Sequence, residues 1–96
     1  MNTSMNIDAL ESAAGQVSGI SGNFSSELSS LGSLVQSTKE YWNDPAQAAF
    51  ETKYEQFRAS MTQFIEALNN YSTAMRQYAA GQRDLQASAA RGFDGI

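Results

Sequence analysis

The sequence predicts an all-α protein, an antiparallel helix-turn-helix hairpin that dimerises into an elongated four-helix bundle. Two long stretches carry apolar residues at alternating steps of three and four, the spacing of one helical face. One strong break separates the stretches, at residues 42–45. Several large aliphatic residues fall outside the face that the two stretches would share. Since a lone hairpin cannot cover them, they favour a second hairpin as partner.

The first helix is expected from about residue 7 to about residue 41. The walk in steps of three and four from Ile7 to Trp42 meets apolar or small side chains throughout, whereas a strand would need alternation at two. The seam that this helix contributes to the hairpin is predicted to comprise Leu10, Val17, Phe24, Leu28, Leu31 and Val35. On the opposite side lie glycines and serines, among them Gly15, Gly19 and Gly22. This small-residue side is either a tolerated weakness in the helix or a place for another helix to approach closely.

The turn is expected at about residues 42–44, in the motif Trp42-Asn43-Asp44-Pro45. Asp44 is a good N-cap, Pro45 suits the first helical position, and Gln47 completes a capping-box pattern. A connection this short makes the two helices antiparallel. We expect Trp42 to be largely buried over the turn, where it would clamp the two helices together.

The second helix is expected from about residue 45 to about residue 90, followed by a flexible tail at about residues 91–96. Its spacing holds over many heptads, which indicates coiled-coil-like packing. Its part of the seam is predicted to comprise Phe50, Tyr54, Phe57, Met61, Phe64, Leu68, Tyr71, Met75 and Tyr78. Arg83 is assigned to the helix dipole near the C-terminal end, as Asp8 and Glu11 are near the start of the first helix.

Three large aliphatic residues, Ile20, Leu34 and Ile65, lie outside the seam and flank it on one side. Singly, exposed aliphatic residues are normal on protein surfaces. Together they widen the apolar stripe, so we predict that they form the dimer interface.

Composition argues against several functions. The 96 residues include ten acids, six bases, no Cys and no His, for a net charge of −4. A Cys/His zinc site is therefore impossible, and the commonest general base and readiest nucleophile are missing. We expect no enzyme, no metal and no cofactor. Scattered bases in an acidic chain also suit neither nucleic acid nor a membrane surface.

The segment Trp42 to Phe50, with its small residues Ala46, Ala48 and Ala49, resembles the turn and second-helix start of a known family. This is the family of small WXG proteins, the early-secreted-antigen (ESAT-like) group of type VII secretion. The resemblance covers nearly the whole chain in length, Trp position and absence of a signal peptide, since Met1 to Leu10 has no basic n-region or apolar h-region. Asp44 stands where the family motif has Gly.

The family's C-terminal export motif, Tyr-x-x-x-Asp/Glu, is not matched, because Tyr78 is followed four residues later by Gln82 and Tyr71 by Met75. The resemblance implies a protein that is cytoplasmic before export and secreted by a type VII (ESX-like) system without a cleaved signal peptide. It would act as a substrate, effector or co-secreted binding partner. Its implied partners are itself or a related WXG-type protein and the secretion-system ATPase. The alternative is a cytoplasmic coiled-coil adaptor or chaperone that is not exported.

Overall fold

The chain folds into an elongated hairpin of two helices, with overall dimensions of 79 × 23 × 16 Å. The computed structural model describes residues 6–94, and the side chains of residues 6–89. Helix α1 spans Ile7–Ser37, a short 3-10 turn spans Thr38–Glu40, and helix α2 spans Pro45–Asp94. No strand occurs in this part of the chain. The predicted all-α helical hairpin is confirmed.

The helix ends follow from local hydrogen bonds. The Asn6 side-chain oxygen caps α1 by accepting from the Ala9 N–H at 2.9 Å. At the other end the Thr38 hydroxyl donates to the Val35 carbonyl at 2.6 Å, where α1 tightens into the 3-10 turn. The α-helix therefore ends at Ser37, before the expected boundary near residue 41.

Helix α2 begins at Pro45 and continues to Asp94, beyond the expected end near residue 90. Residues 91–94, assigned to a flexible tail from sequence, thus continue the helix. The last two residues of that expected tail, 95 and 96, lie outside the described part of the chain.

The two helices meet through small side chains. Ala14 and Ser21 of α1, and Ser72 and Ala79 of α2, are almost wholly buried. The Ser72 hydroxyl donates to the Ala14 carbonyl at 2.9 Å, and the Ser21 hydroxyl donates to the Asn69 side-chain oxygen at 2.7 Å. Because the side chains between the helices are small, the backbones approach closely and larger side chains lie beside the contact line.

This close approach divides the residues of the predicted seam into two groups. Val35 is buried, and a second set is half-buried: Leu10, Val17, Leu28, Tyr54, Met61, Leu68 and Met75. The remaining members are exposed: Phe24, Leu31, Phe50, Phe57, Phe64, Tyr71 and Tyr78. The exposed set is offset by three residues from the contact line, about 60° around each helix, so it lies to one side of the seam. The expectation that these seven side chains fill the space between the helices is therefore corrected.

Candidate partner-binding face

One long side of the hairpin carries a continuous set of exposed apolar side chains, which we call the apolar face. Helix α1 contributes Ile20, Phe24, Leu31 and Leu34. Helix α2 contributes one residue at every seventh position: Phe50, Phe57, Phe64, Tyr71, Tyr78 and Leu85. These side chains are 36–66% exposed. A heptad stripe of this length is typical of a helix that packs against another helix.

The two halves of the apolar face meet at mid-length. The rings of Phe24 and Phe64 lie edge to face, with centroids 5.4 Å apart and an interplanar angle of 88°. This is a favourable aromatic geometry, and it ties the α1 and α2 stripes together at one level.

The half of the apolar face nearer the turn contains two surface cavities. A cavity of about 380 Å³ lies among Leu31, Leu34, Phe57 and Met61. A second one, of about 340 Å³, is lined by Phe50 together with Leu31 and Phe57. Both are open to the surface and are lined mainly by apolar side chains.

The three residues predicted for a dimer interface do not lie on one side. Ile20 and Leu34 belong to the apolar face, with exposures of 48% and 64%. Ile65 is half-buried and lines a polar groove with Arg58 and Glu66. It shares its heptad position with the buried Ser72, which places it at the contact between the helices and away from the apolar face. The sequence-based placement of Ile65 beside Ile20 and Leu34 is therefore corrected.

The hairpin alone buries little apolar surface. In the described part of the chain, the buried hydrophobic residues are Ile7, Ala14, Val35 and Ala79. The accessible surface is 7027 Å², whereas a compact monomer of 10.4 kDa exposes about 5,400 Å². The single hairpin thus leaves many of its large apolar side chains partly in water.

The turn is organised by one carboxylate. The indole N–H of Trp42 donates to Oδ1 of Asp44 at 2.9 Å, and the same oxygen accepts from the Ala46 N–H at 2.8 Å. The Trp42 ring packs on Phe50, with centroids 5.4 Å apart. Trp42 is half-buried, so the expectation that it is largely buried is corrected: its contacts are with the start of α2.

A polar cluster joins the 3-10 turn to α2. The buried Gln47 amide donates to the Thr38 hydroxyl at 3.2 Å and to Oε1 of Glu51 at 2.8 Å. Glu51 also pairs with Lys39 at 3.0 Å. The hydrogen bond from Gln47, followed by that from Lys39, lowers the pKa of the Glu51 carboxyl below its ordinary value. The sequence assigned Gln47 to a capping box, but its side-chain amide is directed to these two partners.

At the opposite end of the hairpin, Arg83 joins the two helices. Its Nη2 lies 3.1 Å from Oδ1 of Asp8 and 2.6 Å from Oε1 of Glu11. The hydrogen bond to Asp8, with the charge of Glu11, raises the pKa of the Arg83 guanidinium. The sequence explained these charges by helix dipoles alone and missed this contact across the hairpin.

The described residues lack two further features. They contain no group of three or more His, Cys, Asp and Glu side chains that could hold a metal ion. Neither described helix has a stretch long and apolar enough to cross a bilayer.

The family model WXG100, described as proteins of 100 residues with WXG, matches residues 2–87. The chain belongs to the WXG100 family. The resemblance predicted from the Trp42 turn is thereby confirmed. No curated protein matches the sequence.

Solved structures of the secreted protein EsxB from Bacillus anthracis share the fold of this WXG100 protein. The selenomethionine-labelled EsxB structure is 24% identical, with a TM-score of 0.81, and the match covers 90% of this chain and 98% of EsxB. The wild-type EsxB structure is 25% identical, with a TM-score of 0.78, covering 86% and 95%. The hairpin is thus the architecture of a WXG100 protein over nearly its whole length.

Proposed function

We propose that this WXG100 protein is exported by a bacterial type VII (ESX-like) secretion system without a cleaved signal peptide, and that it works by binding and not by catalysis. It would act as a secreted substrate or effector, or as a co-secreted partner. Family membership supports this proposal, as does the likeness to EsxB, which is described as a secreted protein.

The observation that carries the binding role is the apolar face. A row of half-exposed aromatic side chains along α2, continued by Ile20 and Leu34 on α1, is costly to leave in water. A second hairpin laid on this face would complete a four-helix bundle. We therefore propose that a WXG-type protein, either a second copy of this chain or a related chain, binds the apolar face. We also propose that the secretion-system ATPase binds the protein and that this contact leads to export.

The alternative from a different class is a cytoplasmic coiled-coil adaptor or chaperone. The apolar face suits that role equally, because an exposed apolar face implies a helical partner but does not indicate the compartment in which the protein works. Export is the property that separates the two functions.

The experiment is to follow the protein in a host whose type VII system is active. We expect the full-length chain in the culture medium with its N-terminal residues intact. Deleting the membrane ATPase of the system should remove it from the medium while the cellular amount is kept. A cytosolic enzyme measured in the same medium controls for lysis. Detection in the cells alone, with the system active, would overturn export and favour the adaptor.

A further inference from the structure

We propose that the carboxylate of Glu27 limits the strength of pairing through the apolar face and makes that pairing sensitive to charge. The inference rests on the proposed function, with a second copy of this chain as the occupant of the face, and it adds the residue that regulates the pairing. A second copy that covers the face removes water from a charge among apolar side chains. Pairing therefore strengthens when the charge is removed, by substitution or by acid.

Glu27 interrupts an apolar heptad row on α1. The row runs at steps of seven through Ala13, Ile20, Glu27 and Leu34. Glu27 is also the one charged residue from position 12 to position 38. A single polar residue in an otherwise apolar row costs stability and restricts how helices can pair. The carboxylate therefore opposes the association that the rest of the row favours.

The surroundings of Glu27 explain why pairing would remove water from its carboxylate. With Phe57 and Met61 of α2 it lines the cavity of about 380 Å³ on the apolar face. With Ile20 and Phe24 it lines a smaller hollow of about 160 Å³. Neither lining contains another charged or titratable side chain. A partner that fills either hollow thus contacts the carboxylate, and removing water from an unpaired charge is costly.

The described cations of the hairpin do not neutralise Glu27. Three of them form ion pairs away from the apolar face: Lys39, Arg58 and Arg83. Arg76 shares the heptad position of Arg83, on the side of α2 away from the face. Lys53 lines the cavity beside Phe50, about 12 Å along α2 from Met61. It lies one row farther from the helix contact than Phe50, where a long side chain keeps its ammonium group in water.

The test measures the dissociation constant of the purified full-length chain by sedimentation equilibrium over a concentration series at neutral pH. Glu27→Gln removes the charge and keeps the size of the side chain. We expect its dissociation constant to be lower than that of the parent by about tenfold or more. Glu66→Gln makes the same change of net charge in the polar groove beside Ile65, so it should pair like the parent. Glu27→Leu, which continues the apolar row, should pair more tightly still.

A pH profile separates the charge of Glu27 from its packing. Pairing that removes water from a carboxylate takes up protons, so it strengthens as the pH falls. The difference in dissociation constant between the parent and Glu27→Gln should therefore narrow from about pH 7 to about pH 5. Acid neutralises the other carboxylates in every variant, and Glu66→Gln, with the same net charge as Glu27→Gln, should keep the profile of the parent.

Three results would overturn the proposal. If Glu27→Gln pairs no more tightly than the parent, the carboxylate stays in water when the face is covered. If it pairs more weakly, a cation of the second copy meets the carboxylate and stabilises the pair. If the parent and all variants are monomers throughout the series, pairing with a second copy fails as well. Only this last result concerns the proposed pairing itself, and none of the measurements involves export.

Discussion

The Trp42 indole donates its N–H to Oδ1 of Asp44 at 2.9 Å, within the turn motif that names the family. Asp44 occupies the position for which the WXG motif has glycine. The chain nevertheless reverses without strain, since none of the described residues has a positive φ. The Asp44 side chain caps α2 and accepts a hydrogen bond from Trp42, so the turn forms without the positive φ that glycine would allow.

Removing the indole should destabilise the hairpin. We expect Trp42→Ala to lower the free energy of unfolding by about 3 kcal/mol, the lower end of the range for a buried aromatic, because the ring is half-buried. Urea denaturation followed by circular dichroism measures this. Trp42→Phe is the matched control, since it keeps a ring on Phe50 and loses the hydrogen bond to Asp44. An alanine variant as stable as the parent would refute the role of Trp42 in the turn.

Asp44 should act through its oxygen and not through backbone shape. Asp44→Ala is expected to cost about 0.5–2 kcal/mol, the usual loss for an N-cap. Asp44→Asn keeps an acceptor for both the Ala46 N–H and the Trp42 N–H, so it should stay close to the parent. If Asp44→Ala and Asp44→Asn lose equal stability in the same denaturation assay, the N-cap hydrogen bond does not explain how Asp44 stabilises the hairpin.

Two helical glycines make a matched pair. A Cβ at Gly32 would lie 2.6 Å from the Tyr54 hydroxyl, which bonds to the Leu28 carbonyl, whereas a Cβ at Gly22 meets nothing within 4 Å. Gly22→Ala should stabilise the helix by up to ~1 kcal/mol. Gly32→Ala should lose that gain, because Tyr54 must move and its hydrogen bond, about 1 kcal/mol, is broken. Thermal unfolding of the two variants decides the point: equal stabilisation would contradict the close packing of Tyr54 on Gly32.

Acid should weaken the turn through Glu51. Because the folded-state pKa of this carboxyl is lowered from 4.5, its stabilising contribution is present above about pH 4.5 and lost as the pH falls through the folded-state value. The difference in urea midpoint between the parent and Glu51→Gln should therefore be larger at pH 6–7 than below pH 4. Glu55→Gln, which removes an exposed carboxylate paired only with Arg58, controls for the change in net charge. If the difference in urea midpoint between the parent and Glu51→Gln does not change with pH, the charge of Glu51 does not stabilise the turn.

Local patterns in the sequence predict much of the fold. The heptad spacing gave both helices, and Asp44-Pro45 located the start of α2, because caps and periodicity depend on neighbouring residues alone. Local patterns could not predict which residues of the seam are buried between the helices and which are exposed beside the contact. Ser72 and Ala79 look ordinary in sequence, yet they lie between the helices, whereas the neighbouring Tyr71 and Tyr78 lie to one side and are exposed. The placement of Ile65 failed for the same reason, since it required knowing which heptad position faces α1. The Arg83 contact with Asp8 and Glu11 depends on the register between distant segments.

Association through the apolar face is the central claim, and sedimentation equilibrium of the purified chain at micromolar concentration tests it most directly. The account predicts a helical species of twice the 10.4 kDa chain mass. Replacing Ile20 and Leu34 together by Lys should give monomers with less helix, while the matched double variant Ser12→Lys with Ser26→Lys, on exposed positions outside the apolar face, should remain dimeric. A parent chain that is monomeric and fully helical at this concentration would contradict pairing with a second copy of the chain.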